Sequence, residues 1–365
     1  MTAGRRWCCV ALGVLLLFAV PAVVRARPVP DQGISAASLL ARIRASRDLS
    51  YSGLSESAGN VPLPANDALS ALTGLLSSTN RVRVWWRDPS LWRTATLRPT
   101  GETDLVHERD RTVRWVYESK QVTVVPDVPV RLPITADLLP PELARRVLSG
   151  ARTSELRRIP AQRVAGHVAL GLRLVPADRQ AAITRVDVYA DQRSGVPLRV
   201  ELFARHSTEP VVSAHFVAFT PGRPQPSALR FRFPADAEIH YDDVVDLADA
   251  ADRFAARIPP RSLAGLSARG PEHGSVGVYG RGPTVLLAIP LWSRSADRVR
   301  AELTGRPGVR TLDQGLLVSA APLQMLLAQP ERNGTSWLLA GTVTRRTLTD
   351  AADHLHAHRP ALGLR

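Results

Sequence analysis

Two hydrophobic periods organise the chain. In residues 35–47, Leu39, Leu40 and Ile43 recur at helical spacing behind Ser35, whose hydroxyl can cap a helix, so a short amphipathic helix is predicted. From residue 49 the segment LSYSGLSES alternates and predicts a strand. A loop with Pro62, Pro64 and Asn66 follows, then a helix-like stretch near 67–77. Beyond it the period is two again. Residues 81–88 carry Val82, Val84 and Trp86 on one side, and residues 91–98 carry Leu91, Ala95 and Leu97 on one side, with Asp88-Pro89-Ser90 as the turn between them. ETDLVHER, TVRWVYES and KQVTVVP extend this hairpin to five antiparallel strands, and TVRWVYES sets Val113, Trp115 and Tyr117 on its apolar side.

A proline-rich connection (Pro126, Pro129, Pro133) leads to a helix predicted from Thr135 or Asp137 to Gly150, with Pro140 and Pro141 in its first turns. The strands TSELRRI, HVALGLRLVP, ITRVDVYAD, VPLRVELFA and PVVSAHFVAF then resume the sheet. About ten antiparallel strands with helices at the start and in the middle predict an α+β fold: a strongly curved half-barrel plugged by helices. PGRPQPSALRFRFP and an acidic helical stretch at 242–257 close this unit, and IPPRSLAGL links it to a smaller α+β unit. That second unit holds VGVYG, TVLLAIPLW, GLLVSAAP, MLLAQP and SWLLAGTV, with a last helix from near Thr347. The expected organisation is a signal segment at 1–26, the half-barrel at 27–258 and the small domain at 259–365.

Charge changes the picture less than its size suggests. The chain of 365 residues carries a formal +14, which raises nucleic acid as a partner, yet Lys120 is the one lysine among 47 basic residues. That bias, with abundant Ala, Pro, Gly and Val, reads as GC-rich coding. The arginines are scattered among strands rather than gathered in one arm, so no nucleic-acid partner is expected. The N-terminus is more telling. Arg5 and Arg6 precede an apolar run over 7–24, and Val24-Arg25-Ala26 places small residues at the −3 and −1 positions of a signal-peptidase site. Export is expected, with cleavage after Ala26 lowering the formal charge from +14 to +11 by removing three arginines. The alternative is an uncleaved anchor, since the run is near the shorter limit for a span. Cys8 and Cys9 precede the apolar run, so they mark no lipoprotein site and leave the mature chain without thiols or disulfides.

Catalytic constellations are not evident. No GxSxG, HExxH, P-loop or GxGxxG pattern occurs, and Ser267 in GLSARG is one residue off a nucleophile elbow. His354, His356 and His358 have two members four apart, a metal-compatible spacing without a third ligand; at a helix C-terminus they complement the dipole instead. Asp242, Asp243, Asp246, Asp249 and Asp252 lack the glycine and glutamate spacing of a calcium loop and read as a solvated helix face. Trp85, Trp86, Trp92 and Trp115 interleaved with arginines suggest a stacking platform for single strands, which export argues against, or a surface for anionic headgroups or an acidic partner. Asn333-Gly334-Thr335 reads as a turn. No enzyme activity, cofactor or metal is expected.

Several segments together resemble the MucB/RseB family of exported sigma-factor regulatory proteins, whose large domain shares its fold with the lipoprotein carrier LolA. In the large unit they are YSGL (51–54), RVAGHVALGLRLVP (163–176), RVDVYADQRSGVPLRVEL (185–202) and the strand run WRTATLRPTGETDLVHERDRTVRWVYES; in the small unit they are VYGRGPTVLLAIPL (278–291) and LLAGTVTRRTLTDAADHL (338–355). Gly280-Arg281-Gly282 stands where a Ser-Asp-Gly type turn is expected, and Thr344 where proline is usual. The resemblance implies a cavity for acyl chains or an apolar peptide, and the residues assigned to its apolar face are Val84, Trp86, Leu97, Trp115, Tyr117, Val188, Val200 and Leu202. For each of them the alternative is an ordinary core position. It further implies an extracytoplasmic or periplasmic, non-catalytic protein lying close to the membrane. Its partner would be the extracytoplasmic part of a membrane-anchored anti-sigma factor, with lipid or lipoprotein acyl chains as ligand, in an envelope-stress response. Gly280, Arg281 and Gly282 are the candidate partner contacts. The alternative is a LolA-like lipid or lipoprotein carrier using the same cavity.

Overall fold

The computed structural model describes residues 31–358 apart from 32, 62–69, 127–132, 206, 231, 233, 235, 242–250, 252, 254–256, 270–273 and 332–334. The expected signal segment, the loop with Pro62 and Pro64, the acidic run from Asp242 and the Asn333-Gly334 turn lie outside the described residues. No described helix is long and apolar enough to cross a membrane.

The first helix, α1 (Ala36–Ala45), forms as its pattern predicts. The Ser35 hydroxyl accepts from the Ser38 amide, and Leu39, Leu40 and Ile43 are the buried positions. Strand β1 (Tyr51–Gly59) follows, then a short helix α2 (Ser70–Leu76). The meander is β2 (Thr79–Asp88), β3 (Leu91–Arg98), β4 (Gly101–Glu108), β5 (Arg111–Val116) and β6 (Gln121–Pro126). The expected single helix from 135 to 150 is instead a 3-10 turn, Thr135–Leu138, followed by α3 (Pro140–Val147). Leu139 between them is extended, with φ −57° and ψ 137°. The Pro140 ring excludes the helical conformation from the residue before it, so the helix restarts there.

Strands β7 (Leu156–Val164), β8 (His167–Leu174), β9 (Ile183–Asp191), β10 (Pro197–Ala204) and β11 (Val212–Pro221) complete the antiparallel part. The sheet order is β6-β5-β4-β3-β2-β1-β11-β10-β9-β8-β7, and β12 (Glu238–Tyr241) adds a parallel edge beside β6. To reach that edge the chain leaves β11 and crosses one face of the meander, where the helical turn Pro226–Leu229 packs on β3. The sheet stays open but curls. β7 approaches β11, with three strands between them in the order, and His167 rests edge-on against Phe219 with 5.3 Å between ring centroids.

One face of this sheet is covered by α1, α3 and the 3-10 turn. On β8–β11 it presents Leu170, Leu172, Leu174, Val186, Val188, Val200, Leu202 and Ala214 to Leu39, Ile43, Leu143 and Val147. On the opposite face of the same strands, Asp187 and Glu201 are buried beneath Arg173, Arg185 and Arg199, and Arg185 also lies over Phe203. The arginine stems shield these carboxylates.

The second unit has a small hairpin, β13 (Ser262–Leu263) and β14 (Leu266–Ser267), which contains Ser267. Its main sheet has six antiparallel strands in the order β15-β16-β20-β19-β18-β17. They are β15 (Gly277–Arg281), β16 (Thr284–Leu291), β17 (Val309–Leu312), β18 (Gly315–Ala320), β19 (Leu323–Ala328) and β20 (Ser336–Gly341). Helix α4 (Ser293–Leu303) buries Leu303 against Leu316, Val318 and Leu327, while α5 (Arg345–His358) buries Leu348, Ala351, Ala352 and Leu355 against Leu317, Leu326 and Leu339. Alternation along β18 sends these two leucine sets to opposite faces, so the sheet is sandwiched. The last helix starts two residues before the expected Thr347, with the Thr344 hydroxyl accepting from the Thr347 amide. Ala251 packs with Val276 and Ile289, and Arg257 bonds Ser275 and Glu331, so these two residues pack with this unit.

Candidate functional site

Strand register decides which side chains share the covered face. In β2 and β3, Trp86 pairs with Trp92 and Val84 with Thr94, while Leu97 lies opposite Arg81. Directly paired residues of an antiparallel ladder point the same way. Val84 and Trp86 therefore face the helices, and Leu97 faces the other side. Trp115 pairs with Asp104, itself beside Ala95, which places Trp115 and the adjoining Tyr117 on that other side too. Of the eight residues assigned from the sequence to one apolar face, Val84, Trp86, Val188, Val200 and Leu202 are brought together under the helices. Leu97, Trp115 and Tyr117 are not, and this corrects the expected common face.

The reason is that both faces of the meander are covered. Val113, Trp115 and Val122 pack with Ala237 of the crossing segment, so the apolar side of β5 serves that second layer. Tyr117 stands at the border of this layer, 45 % exposed. Nearby, Arg93 pairs with Asp104 at 2.5 Å and lies 5.2 Å from the Trp85 ring centre. Burial pushes the Asp104 carboxyl upward, against the pull of Arg93. The four tryptophans thus split between two faces and form no single platform.

What the covered face holds instead is an aromatic ladder that alternation alone does not reveal. Tyr51, Trp86, Trp92 and His107, on β1 to β4, stack ring on ring with centroids 5.9, 5.6 and 5.2 Å apart and planes within 11° of parallel. Phe216 meets Tyr51 edge-on. The turn at Asp88-Pro89-Ser90, which sets Trp92 opposite Trp86, is the sequence signal from which this pairing is readable.

At the Tyr51 end of the ladder lies a cavity of about 690 Å³. Ile43, Tyr51, Trp86, Ala144, Leu148 and Pro197 supply its apolar lining, and Arg44, Arg47, Arg145, Arg146 and Arg269 its cationic one, against the single carboxylate of Glu142. Arg145 bonds Glu142 and Arg146 bonds Asp137. Burial pulls the Arg269 guanidinium below its usual range. The Tyr51 hydroxyl is buried and has no hydrogen-bond partner among the described residues. Burial, and then the nearby Glu142 charge, hold its phenol well above the ordinary value, so it stays a neutral donor. Such an arrangement offers an apolar chain a dry aromatic floor and an anionic group several cations. Among the described residues no cluster of three His, Cys, Asp or Glu is placed to hold a metal.

The small domain closes part of this cavity with Arg269, Gly282 and Val285. Arg281 sits at the centre of the junction. Its guanidinium donates to both Glu155 carboxylate oxygens at 2.6 and 2.7 Å, to Asp178 at 3.1 Å and to the Gly150 carbonyl at 3.1 Å. Those bonds hold the Glu155 carboxyl at about 2 against the opposing effect of burial. Around this centre, Ala182 donates to the Thr342 carbonyl, Thr344 to the Gln180 carbonyl, and Ala320 joins the large-domain core. Of Gly280, Arg281 and Gly282, assigned from the sequence to an outside partner, Arg281 and Gly282 are thus engaged between the two domains, while Gly280 lies against Thr284 and Leu266 of its own domain. Gly282 has φ +51°, and a Cβ there would stand 2.9 Å from the Val147 carbonyl oxygen. Gly282→Ala is expected to destabilise the protein by about 1 to 2 kcal/mol from the left-handed backbone alone. A denaturation midpoint equal to wild type would show that residue 282 does not hold a left-handed backbone.

The fold and site define a class: an open α+β half-barrel with a second, sandwiched domain docked over the mouth of a cationic, aromatic-floored cavity. The chain is similar to MucB in the solved MucA/MucB complex of Pseudomonas aeruginosa, at 17% identity and TM-score 0.49, over 87% of this chain and 96% of that one. A second structure, MucB in complex with MucA(peri), matches at 18% identity and TM-score 0.47, over 87% of this chain and 97% of that one. A LolA superfamily protein from Nitrosomonas europaea matches at 11% identity and TM-score 0.25, over 55% of this chain and 99% of that one. No protein-family model and no curated protein matches.

Proposed function

We propose that this is an exported, non-catalytic regulatory protein of the MucB/RseB kind. It binds the extracytoplasmic part of a membrane-anchored anti-sigma factor and takes an acyl or lipid ligand in the cavity at the domain junction. The observation that carries this reading is the composite cavity itself. An apolar floor, an arginine lining and the unpartnered Tyr51 hydroxyl suit an amphiphile with an anionic head. The partner follows from the resemblance of the segments at 163–176, 185–202, 278–291 and 338–355 to that family, and MucB itself is solved in complex with MucA. A half-barrel carrier needs no second domain, whereas here Arg269, Gly282 and Val285 of the small domain are part of the wall. That favours regulation over transport.

Crosslinking of a tagged chain in cells, with mass spectrometry of the captured proteins and lipids, tests both halves. One dominant membrane protein with a cytoplasmic sigma-binding segment is the expected catch. Many lipoproteins, or abundant lipid with no such membrane protein, would replace the regulator with a carrier.

A further inference from the structure

The cavity and the domain junction share one helix. α3 lines the cavity with Pro141, Glu142, Ala144 and Arg145, and the residues just past its end, Leu148, Ser149 and Gly150, line it too. The same end of the helix is the seat of the small domain: the Val147 and Ser149 carbonyls lie against Gly282, and the Gly150 carbonyl accepts from Arg281. Glu155, on which Arg281 closes bidentately, lies just before β7 and also accepts from the Arg152 and Ala177 amides. It is therefore a fixed anchor on the large domain rather than a mobile surface carboxylate.

We infer that Arg281 is a latch through which docking of the small domain and occupancy of the cavity are coupled. The inference rests on the reading that the cavity takes an acyl amphiphile. Contacts from Arg269, Gly282 and Val285 exist only when the small domain is seated, so a ligand that uses them binds the docked arrangement more tightly. By reciprocity the ligand then strengthens docking, and loosening the latch weakens the ligand. Glu155, Asp178 and Gly150 are the large-domain half of this device, and none of them lies on the aromatic floor. The latch acts on ligand affinity through position, without touching the acyl chain.

The test uses the mature chain, which has no cysteine, so spin labels at Arg98→Cys and Asp297→Cys report the distance between domains without background. Uptake of a dansylated undecanoic acid is followed by fluorescence in the labelled protein and in its Arg281→Ala, Arg281→Lys and Glu155→Gln forms. The latch predicts about tenfold weaker uptake in Arg281→Ala, a broadened distance distribution, and its narrowing when probe is added. Arg281→Lys keeps the charge, loses the two-pronged grip and falls between the two, which separates a latch from a folding defect. Equal uptake in wild type and Arg281→Ala overturns the latch and leaves the ligand reading intact. No uptake by wild type overturns the ligand reading and the coupling with it, and an unchanged distance distribution in Arg281→Ala then removes the docking role as well.

Discussion

Replacing Trp86 with alanine is expected to cost about 3 to 5 kcal/mol of stability. Trp86 is 4% exposed and stands between the Tyr51 and Trp92 rings, so its removal opens a void and ends two stacking contacts at once. Its neighbour supplies the control. Trp85 points to the opposite face, half-buried, where it meets the Arg83 and Arg93 guanidinium groups at 5.9 and 5.2 Å. Trp85→Ala is expected to cost about 1 kcal/mol. Urea unfolding of the two variants side by side makes the comparison. A larger loss for Trp85→Ala would mean that β2 is out of register by one residue, since such a slip exchanges the faces of every side chain on the strand.

Acid is expected to remove about 3 kcal/mol through Glu155 alone. Its carboxyl is held at about 2 in the folded protein, against an ordinary 4.5, chiefly by the Arg281 hydrogen bonds. A depressed carboxyl contributes its full stability above the unfolded value. That contribution fades as pH falls from about 4.5 towards about 2, because the unfolded chain takes up the proton that the folded one refuses. Glu155→Gln keeps the shape and abolishes the titration. The stability difference between wild type and this variant should therefore shrink steadily over that window when unfolding is followed at a series of pH values. A difference that stays constant across the window would show that Arg281 does not hold the Glu155 charge.

Much of the local structure was legible residue by residue. Ser35 with Leu39, Leu40 and Ile43 specifies α1, its cap and its buried stripe, because both signals lie within one helical turn of each other. The period-two runs specify β1 through β11 to within a few residues of their ends. The helix expected across Pro140 breaks at Leu139, a constraint that was local and readable in principle.

The aromatic ladder and the junction were not legible in this way. Tyr51, Trp92 and His107 sit in three different strands and acquire a common face only through pairing. Arg281 and Glu155 are 126 residues apart, and nothing near either one points to the other.

The sequence by itself pointed to the first helix, the eleven antiparallel strands of the large unit, the exported and thiol-free character expected of the mature chain, and a smaller α+β unit after it, but not to α4, β12 or β17. The tertiary structure alone decided which face of each strand is the inner one. Alternation states that the two faces of a strand differ, but in β5 the apolar face is the one that the chain returns to cover more than a hundred residues later. It alone also placed Arg281 and Gly282, candidates for an outside partner, at the contact between domains. Side chains have a face only relative to what packs on them, and register and long-range crossing, which set that, carry no local signature.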